Sequence, residues 1–238
     1  MIVDQHGVLV QKQSDGSLDG GDSVNWMGHY DYLTNHNTID FFRVDVGAYV
    51  RHPDPLCTNN QFGAYYKSPF NGCISRDMLT GILMSRIKNK EYIQMLDIIG
   101  HHALRLFLFA YNTIHNGTNP KYAKLKMPDV TLFDIWALEI RGLGWFGYLM
   151  FPILCLFDLQ LLFGSLLFNK KNDTSDPLSF AGKLCISQEF IKTPISKLAW
   201  KVTNKEKLLN NLKTYWSGWR QQPEMYDLYE KKIKELSK

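Results

Sequence analysis

An apolar run from Trp145 to Phe168, interrupted near its middle by Asp158 and Gln160, constrains this chain more than any other feature. As a helix rising about 1.5 Å per residue, the run is long enough to cross a bilayer. Arg141 precedes it, Lys170 and Lys171 follow it, and Trp145 and Tyr148 suit a membrane interface. Asp158 opposes that reading, because an Asp at the centre of a spanning helix costs about 3 kcal/mol, against about 0.5 kcal/mol returned by each Leu or Phe. A helix that is apolar all round also describes the buried centre of a protein core. The amphipathic, water-compatible helices elsewhere favour the core, and the membrane span stands as the alternative. In a core, Asp158 needs a partner, since an unpaired buried carboxylate takes up a proton or costs several kcal/mol. Arg141, Arg105 and Arg76 are the candidates, and a structural pair of Asp158 with Arg141 is expected.

The chain has 238 residues, enough for one domain with an appendage and a core that needs no disulfide. Apolar residues make up 45% and charged residues 21%, as in ordinary globular proteins, and aromatics reach 13%, which argues against disorder. The net charge of +4 sits in the last 38 residues, and the first 200 are neutral. That pattern gives a single mainly helical domain over residues 1–200 and a basic helical tail over 201–238. It gives no nucleic-acid footprint on the body. Cys57, Cys73, Cys155 and Cys185 form no CxxC pair, so no zinc site is expected. No glycine-rich phosphate or dinucleotide motif occurs, and no cofactor is expected. The start of the chain has neither a basic segment nor an apolar core, so no secretory signal is expected.

Gly7–Val10 and Ser14–Ser17 read as a short hairpin around Asp15-Gly16. A short aromatic helix follows over Ser23–Leu33. Residues 46–70 are rich in Pro, Asn and Gly and read as loop. Met78, Leu79, Ile82, Leu83 and Ile87 share one helical face. Further helices are expected over about 90–114 and from Asp129 to Ile140. In the tail, helices are expected at Ile195–Val202, Lys205–Trp219 and Tyr226–Leu236. The fold class is therefore mainly α: a helical core with a short N-terminal β-hairpin and a loop-rich first third. The absence of βαβ alternation excludes doubly wound and TIM-barrel folds.

Four polar clusters interrupt the apolar sequence. They are Gly21-Asp22-Ser23 with Trp26, His29 and Asp31; Arg51-His52-Pro53-Asp54; Ser75-Arg76-Asp77; and Glu139-Ile140-Arg141. Each has a structural explanation: Asp22-Ser23 and Ser75 as helix caps, Arg51-His52 as a turn, and Glu139 and Arg141 as solvated charges. Together they also fit cleavage of a glycan, which needs one acid, one base and aromatic platforms. On that reading Asp22 and Asp77 are the catalytic pair, and Trp26, His29, His52 and Arg76 bind substrate. Asp15-Gly16-Ser17-Leu18-Asp19-Gly20 opens like a calcium loop, but its twelfth position is Trp26 instead of Glu, which excludes the bidentate ligand.

The series Gly21-Asp22-Ser23, Arg51-His52-Pro53, Ser75-Arg76-Asp77, Met127-Pro128-Asp129 and Asp158 within an apolar helix resembles a group of uncharacterised bacteriophage and prophage proteins. The resemblance covers roughly residues 15–200 and implies a viral setting but no reaction. The helical pattern is also distantly similar to (α/α)-toroid glycan enzymes, although the chain is short for six hairpins. The expectation is a phage-type protein whose polar site acts on a glycan or cell-envelope polymer. The rival is a non-catalytic virion or membrane-associated protein, whose partners are other virion proteins or a bilayer. The location stays open between virion and host cytoplasm, with membrane association as a further alternative.

Overall fold

A computed structural model describes residues 1–45, 48–53, 76–91, 93–95, 151–170 and 177–238. The fold is mainly helical, with a small antiparallel hairpin at the start. Strands β1 (Gln11–Lys12) and β2 (Leu18–Asp19) pair with Gln11 opposite Asp19 and Lys12 opposite Leu18. Asp15 builds the turn: its carboxylate accepts the Ser17 amide at 2.9 Å and the Ser17 hydroxyl at 2.6 Å. Gly16 supplies the positive φ of 86° that the turn requires. A second two-stranded ladder joins β3 (Arg43–Asp45) to β4 (Ala48–Tyr49).

The centre of the core is α1 (Ser23–Leu33). Trp26, Met27, Tyr32 and Val24 are buried, and so are Ser23, Asn25, His29 and Asp31. It crosses α2 (Arg76–Asn89), in which every residue from Met78 to Ile87 is buried, so that the expected face of Met78, Leu79, Ile82, Leu83 and Ile87 is covered together with Thr80, Met84, Ser85 and Arg86. The crossing is unusually close. A Cβ placed on Gly28 would lie 2.1 Å from the Gly81 carbonyl oxygen, and one on Gly81 would lie 2.4 Å from that of Asn25. Two glycines thus let two backbones touch, and neither position accepts a side chain without moving a helix.

The apolar run appears as α3 (Phe151–Lys170), with Pro152 in its first turn, where the missing amide is tolerated. Residues 145–150 lie outside the described residues. The expectation of a helix buried on all sides is corrected here. Asp158, Leu161, Ser165 and Phe168 are buried, but Leu159, Phe163, Leu166 and Leu167 face outward. Among the described residues, no helix is long and apolar enough to cross a membrane. The remaining helices are α4 (Pro177–Ile186), α5 (Pro194–Val202), α6 (Lys205–Lys213) and α7 (Pro223–Leu236). Side-chain caps start two of them: Thr193 accepts the Ser196 amide at 3.0 Å, and Asn204 accepts the Lys207 amide at 2.9 Å. π-helical turns extend α4 (Ser187–Ile191) and α6 (Thr214–Trp219).

Helices α3 and α5 run side by side in the same direction. Thr193, before α5, donates to Asp158, while Asn169 near the end of α3 donates to Val202 O at 2.7 Å and accepts from the Asn204 amide at 2.9 Å. The basic tail shares the core of the body, contributing Leu208, Leu212, Trp216, Met225, Tyr229 and Ile233. It also ties down the start of the chain. Buried Gln222 accepts the Ile2 amide at 2.9 Å and donates to Ile2 O at 2.9 Å and Val10 O at 2.8 Å, like a missing strand residue.

Candidate functional site

The first polar cluster is built where α1 meets the end of α6. Asp22 occupies the N-cap of α1, yet its side chain makes no cap bond. It accepts instead from Arg220 at 3.0 Å. The expected capping role of Asp22 is corrected accordingly, and Ser23 likewise points elsewhere, donating to Leu9 O at 2.5 Å. Arg220 also donates to the Gln11 side chain at 2.7 Å and lies over three aromatic rings: Trp219 at 4.1 Å, Trp26 at 5.1 Å and Tyr215 at 5.3 Å. The π turn Thr214–Trp219 makes this possible. It directs Tyr215 and Trp216 inward against Trp26 and leaves Trp219 outside as a lid on the guanidinium. Trp26 Nε1 donates to the Tyr215 hydroxyl at 3.1 Å.

One turn on, His29 is fully buried and shares a hydrogen bond with the Tyr229 hydroxyl through Nδ1. Burial lowers its pKa to about 3, so the ring is neutral at physiological pH. Gly182 of α4 makes room for it, since a Cβ there would lie 2.8 Å from His29 Cε1. Asp31 is a structural carboxylate. It accepts from the Thr38 amide and hydroxyl, the Ile39 amide and the Ser85 hydroxyl, all at 2.8–3.0 Å. Tyr32 donates to Glu189 at 2.7 Å, and Lys232 pairs with the same carboxylate at 2.6 Å. Burial and the Glu189 charge push the Tyr32 hydroxyl well above the usual range, so it stays a donor.

His52 is also fully buried, with Nε2 3.1 Å from Asp4 Oδ2. The other Asp4 oxygen accepts from the His6 and Val8 amides at 2.9 and 2.8 Å. Arg76 and Asp77 open α2, but their side chains lie outside the described residues, as does Arg141. The structure therefore brings Asp22 and Trp26 together around Arg220, and places His29 and His52 in separate buried pockets. Trp26, His29 and His52 have 1%, 0% and 0% exposure.

Asp158 is 2% exposed and accepts from Thr193. Burial raises its carboxyl pKa, and the Thr193 hydrogen bond opposes the rise in part. Sequence reasoning missed Arg86, the largest buried charge described. It pairs with Asp40 at 2.6 Å and with Glu91, and donates to the Tyr49 hydroxyl at 2.7 Å. Burial works against its charge, but Asp40, Tyr49 and Glu91 outweigh that and raise its pKa above the ordinary value. Arg86 lies on the same face as Leu79, Ile82 and Leu83, so a charge on an apolar stripe was the available signal.

Two further reactive groups are quiet. Burial pushes the Cys185 thiol up to about 12, so it packs as an apolar side chain. Burial lowers Lys205 to about 8, yet its ammonium is spent on the last carbonyls of α5, donating to Trp200 O and to Thr203 O at 3.0 Å. Among the described residues no cluster of His, Cys, Asp or Glu could hold a metal ion. Comparison with protein families, with curated proteins and with solved structures gave no match.

Proposed function

We propose that this chain is a non-catalytic helical protein that acts by presenting a surface to a partner, in the phage or prophage setting that its sequence motifs imply. One observation carries the reading: Asp22, His29 and His52, the described polar side chains of the expected site, all face partners within the fold. Asp22 is held by Arg220, His52 faces Asp4, and His29 faces Tyr229. Trp26 is buried edge-to-face against Trp216 and offers no open face to a sugar ring. A glycan-cleaving site needs two carboxylates facing an open cleft, with aromatic platforms exposed to the chain. Acid–base cleavage by Asp22 and Asp77 is the competing proposal, and the burial of its substrate-binding partners weighs against it.

The test is release of reducing ends from purified bacterial cell-wall glycan. The proposal expects release equal to buffer for both the native chain and Asp22→Asn. Release by the native chain that Asp22→Asn abolishes would overturn it and restore Asp22 as a catalytic residue.

A further inference from the structure

Helices α3 and α5 present an outer surface that the core does not explain. On α3, Leu159 is 37% exposed, Phe163 60%, Leu166 42% and Leu167 55%. Their spacing of four, three and one places them on one helical face. On the neighbouring α5, Leu198 is 45% exposed. The hydrophobic effect disfavours leaving such a stripe in water: burying each of these side chains is worth about 1.5–3 kcal/mol. Single exposed leucines need no explanation, but a run of them along one helix marks a docking surface.

Among the described residues of α3 and α5, the exposed charges are of one sign. Lys170 ends α3, while Lys197 and Lys201 stand one turn apart beside Leu198, and all three are exposed. Among the described residues from 151 to 202, the acids are Asp158, which is buried, and Glu189, which is paired with Lys232. An apolar stripe accompanied by lysines, with no exposed carboxylate among the described residues of the two helices, matches an anionic bilayer, where leucine and phenylalanine enter the acyl boundary and lysines meet the headgroups. A protein partner or a second copy is less well matched, since a second copy would set these lysines against each other.

We propose that the outer faces of α3 and α5 dock in the plane of an anionic lipid surface, without crossing it. This rests on the reading of the chain as a surface-presenting protein and names its partner. The experiment is flotation of the full chain with vesicles of phosphatidylcholine alone and of phosphatidylcholine with 30 mol% (about a third) phosphatidylglycerol. Binding at least about tenfold tighter to the anionic vesicles is expected, weakening as salt rises. The double substitution Phe163→Gln with Leu167→Gln should abolish flotation while leaving the circular dichroism melt intact, because both side chains are exposed. Lys197→Glu with Lys201→Glu should weaken binding at least about tenfold. Equal binding to both vesicles, or none to either, overturns the proposal. So does flotation that survives the Phe163 and Leu167 changes. A concentration-dependent dimer that those changes dissolve, without flotation, overturns it too and assigns the stripe to a second copy. The cell-wall assay reads the non-catalytic proposal separately, so failure to float is distinguishable from failure of that reading.

Discussion

Helices α1 and α3 reverse the order their sequences imply. α3 is the most apolar segment of the chain, yet it buries one face and leaves Phe163 and Leu167 more than half exposed. α1 carries Ser23, Asn25, His29 and Asp31, yet it is enclosed on nearly every side. Apolarity alone therefore does not decide which helix becomes the centre. What decides it here is close approach, with Asp31 fully satisfied although Asn25 Oδ1 and His29 Nε2 find no hydrogen-bond partner among the described residues. Gly28 and Gly81 bring α1 and α2 into backbone contact, and Asp31 finds four donors within reach. A polar helix can be buried when its partners are present, because a satisfied buried group costs little and an unsatisfied one costs about 1–3 kcal/mol.

The comparison breaks most readily at Arg86. Arg86→Ala leaves the buried Tyr49 hydroxyl and the partly buried Glu91 without their partner, while the exposed Asp40 returns to water, and should lower the unfolding free energy by about 1–3 kcal/mol. Urea denaturation measures it, and a loss below about 1 kcal/mol would mean the guanidinium reaches water. The next effect is a matched pair of glycines. Gly28→Ala forces α1 from α2 and should cost about 1–3 kcal/mol. Gly164→Ala on α3 meets only Phe180 Cε2 at 3.7 Å, an ordinary contact, and should stabilise by up to about 1 kcal/mol through helix propensity. Equal effects at the two positions would remove the distinction between the helices.

Acid should separate them by sign. His29 on α1 has its folded pKa lowered from 6.5 to about 3. Its contribution is complete above 6.5 and is lost as pH falls toward 3, with a slope approaching 1.4 kcal/mol per pH unit (about 2.3RT). Asp158 on α3 has its folded pKa raised. The folded chain then binds the proton more readily, so ionisation weakens the fold as pH rises above the ordinary carboxylate value. Asp158→Asn should therefore raise the melting temperature at pH 7 and lose that advantage in acid, while His29→Gln should flatten the acid limb. A melting profile with the reverse signs would contradict the burial assigned to each group. The smallest expected change is Phe163→Gln, within about 0.5 kcal/mol in chemical denaturation, as for other exposed positions.

Much of this architecture was legible from local pattern. The presence of α2 follows from the spacing of Met78, Leu79, Ile82, Leu83 and Ile87, and the tail helices follow from their periodicity. The hairpin follows from Asp15-Gly16. The centrality of α1 was not legible, because it depends on Gly28 finding Gly81 and on His29 finding Tyr229, contacts between residues far apart in sequence. The Asp22–Arg220 pair was hidden for the same reason, and the π turn before Arg220 has no sequence signature. The candidate site was legible as a set of residue types but not as an arrangement. Polar residues in apolar sequence mark either a site or a satisfied core, and only the positions of their partners tell these apart. Arg141 as partner of Asp158, Cys57 and Cys73, the expected helix over about 90–114 beyond residue 95 and the expected helix from Asp129 to Ile140 fall outside the described residues.

The central claim is that α1 is enclosed while the outer face of α3 is free. Hydroxyl-radical footprinting of the native chain reads both helices in one sample. Strong oxidation of Phe163, Leu166 and Leu167 is predicted, with Trp26, Met27 and Tyr32 protected until the chain unfolds. Oxidation of Trp26 and Met27 in the folded protein, with Phe163 protected, would contradict the account.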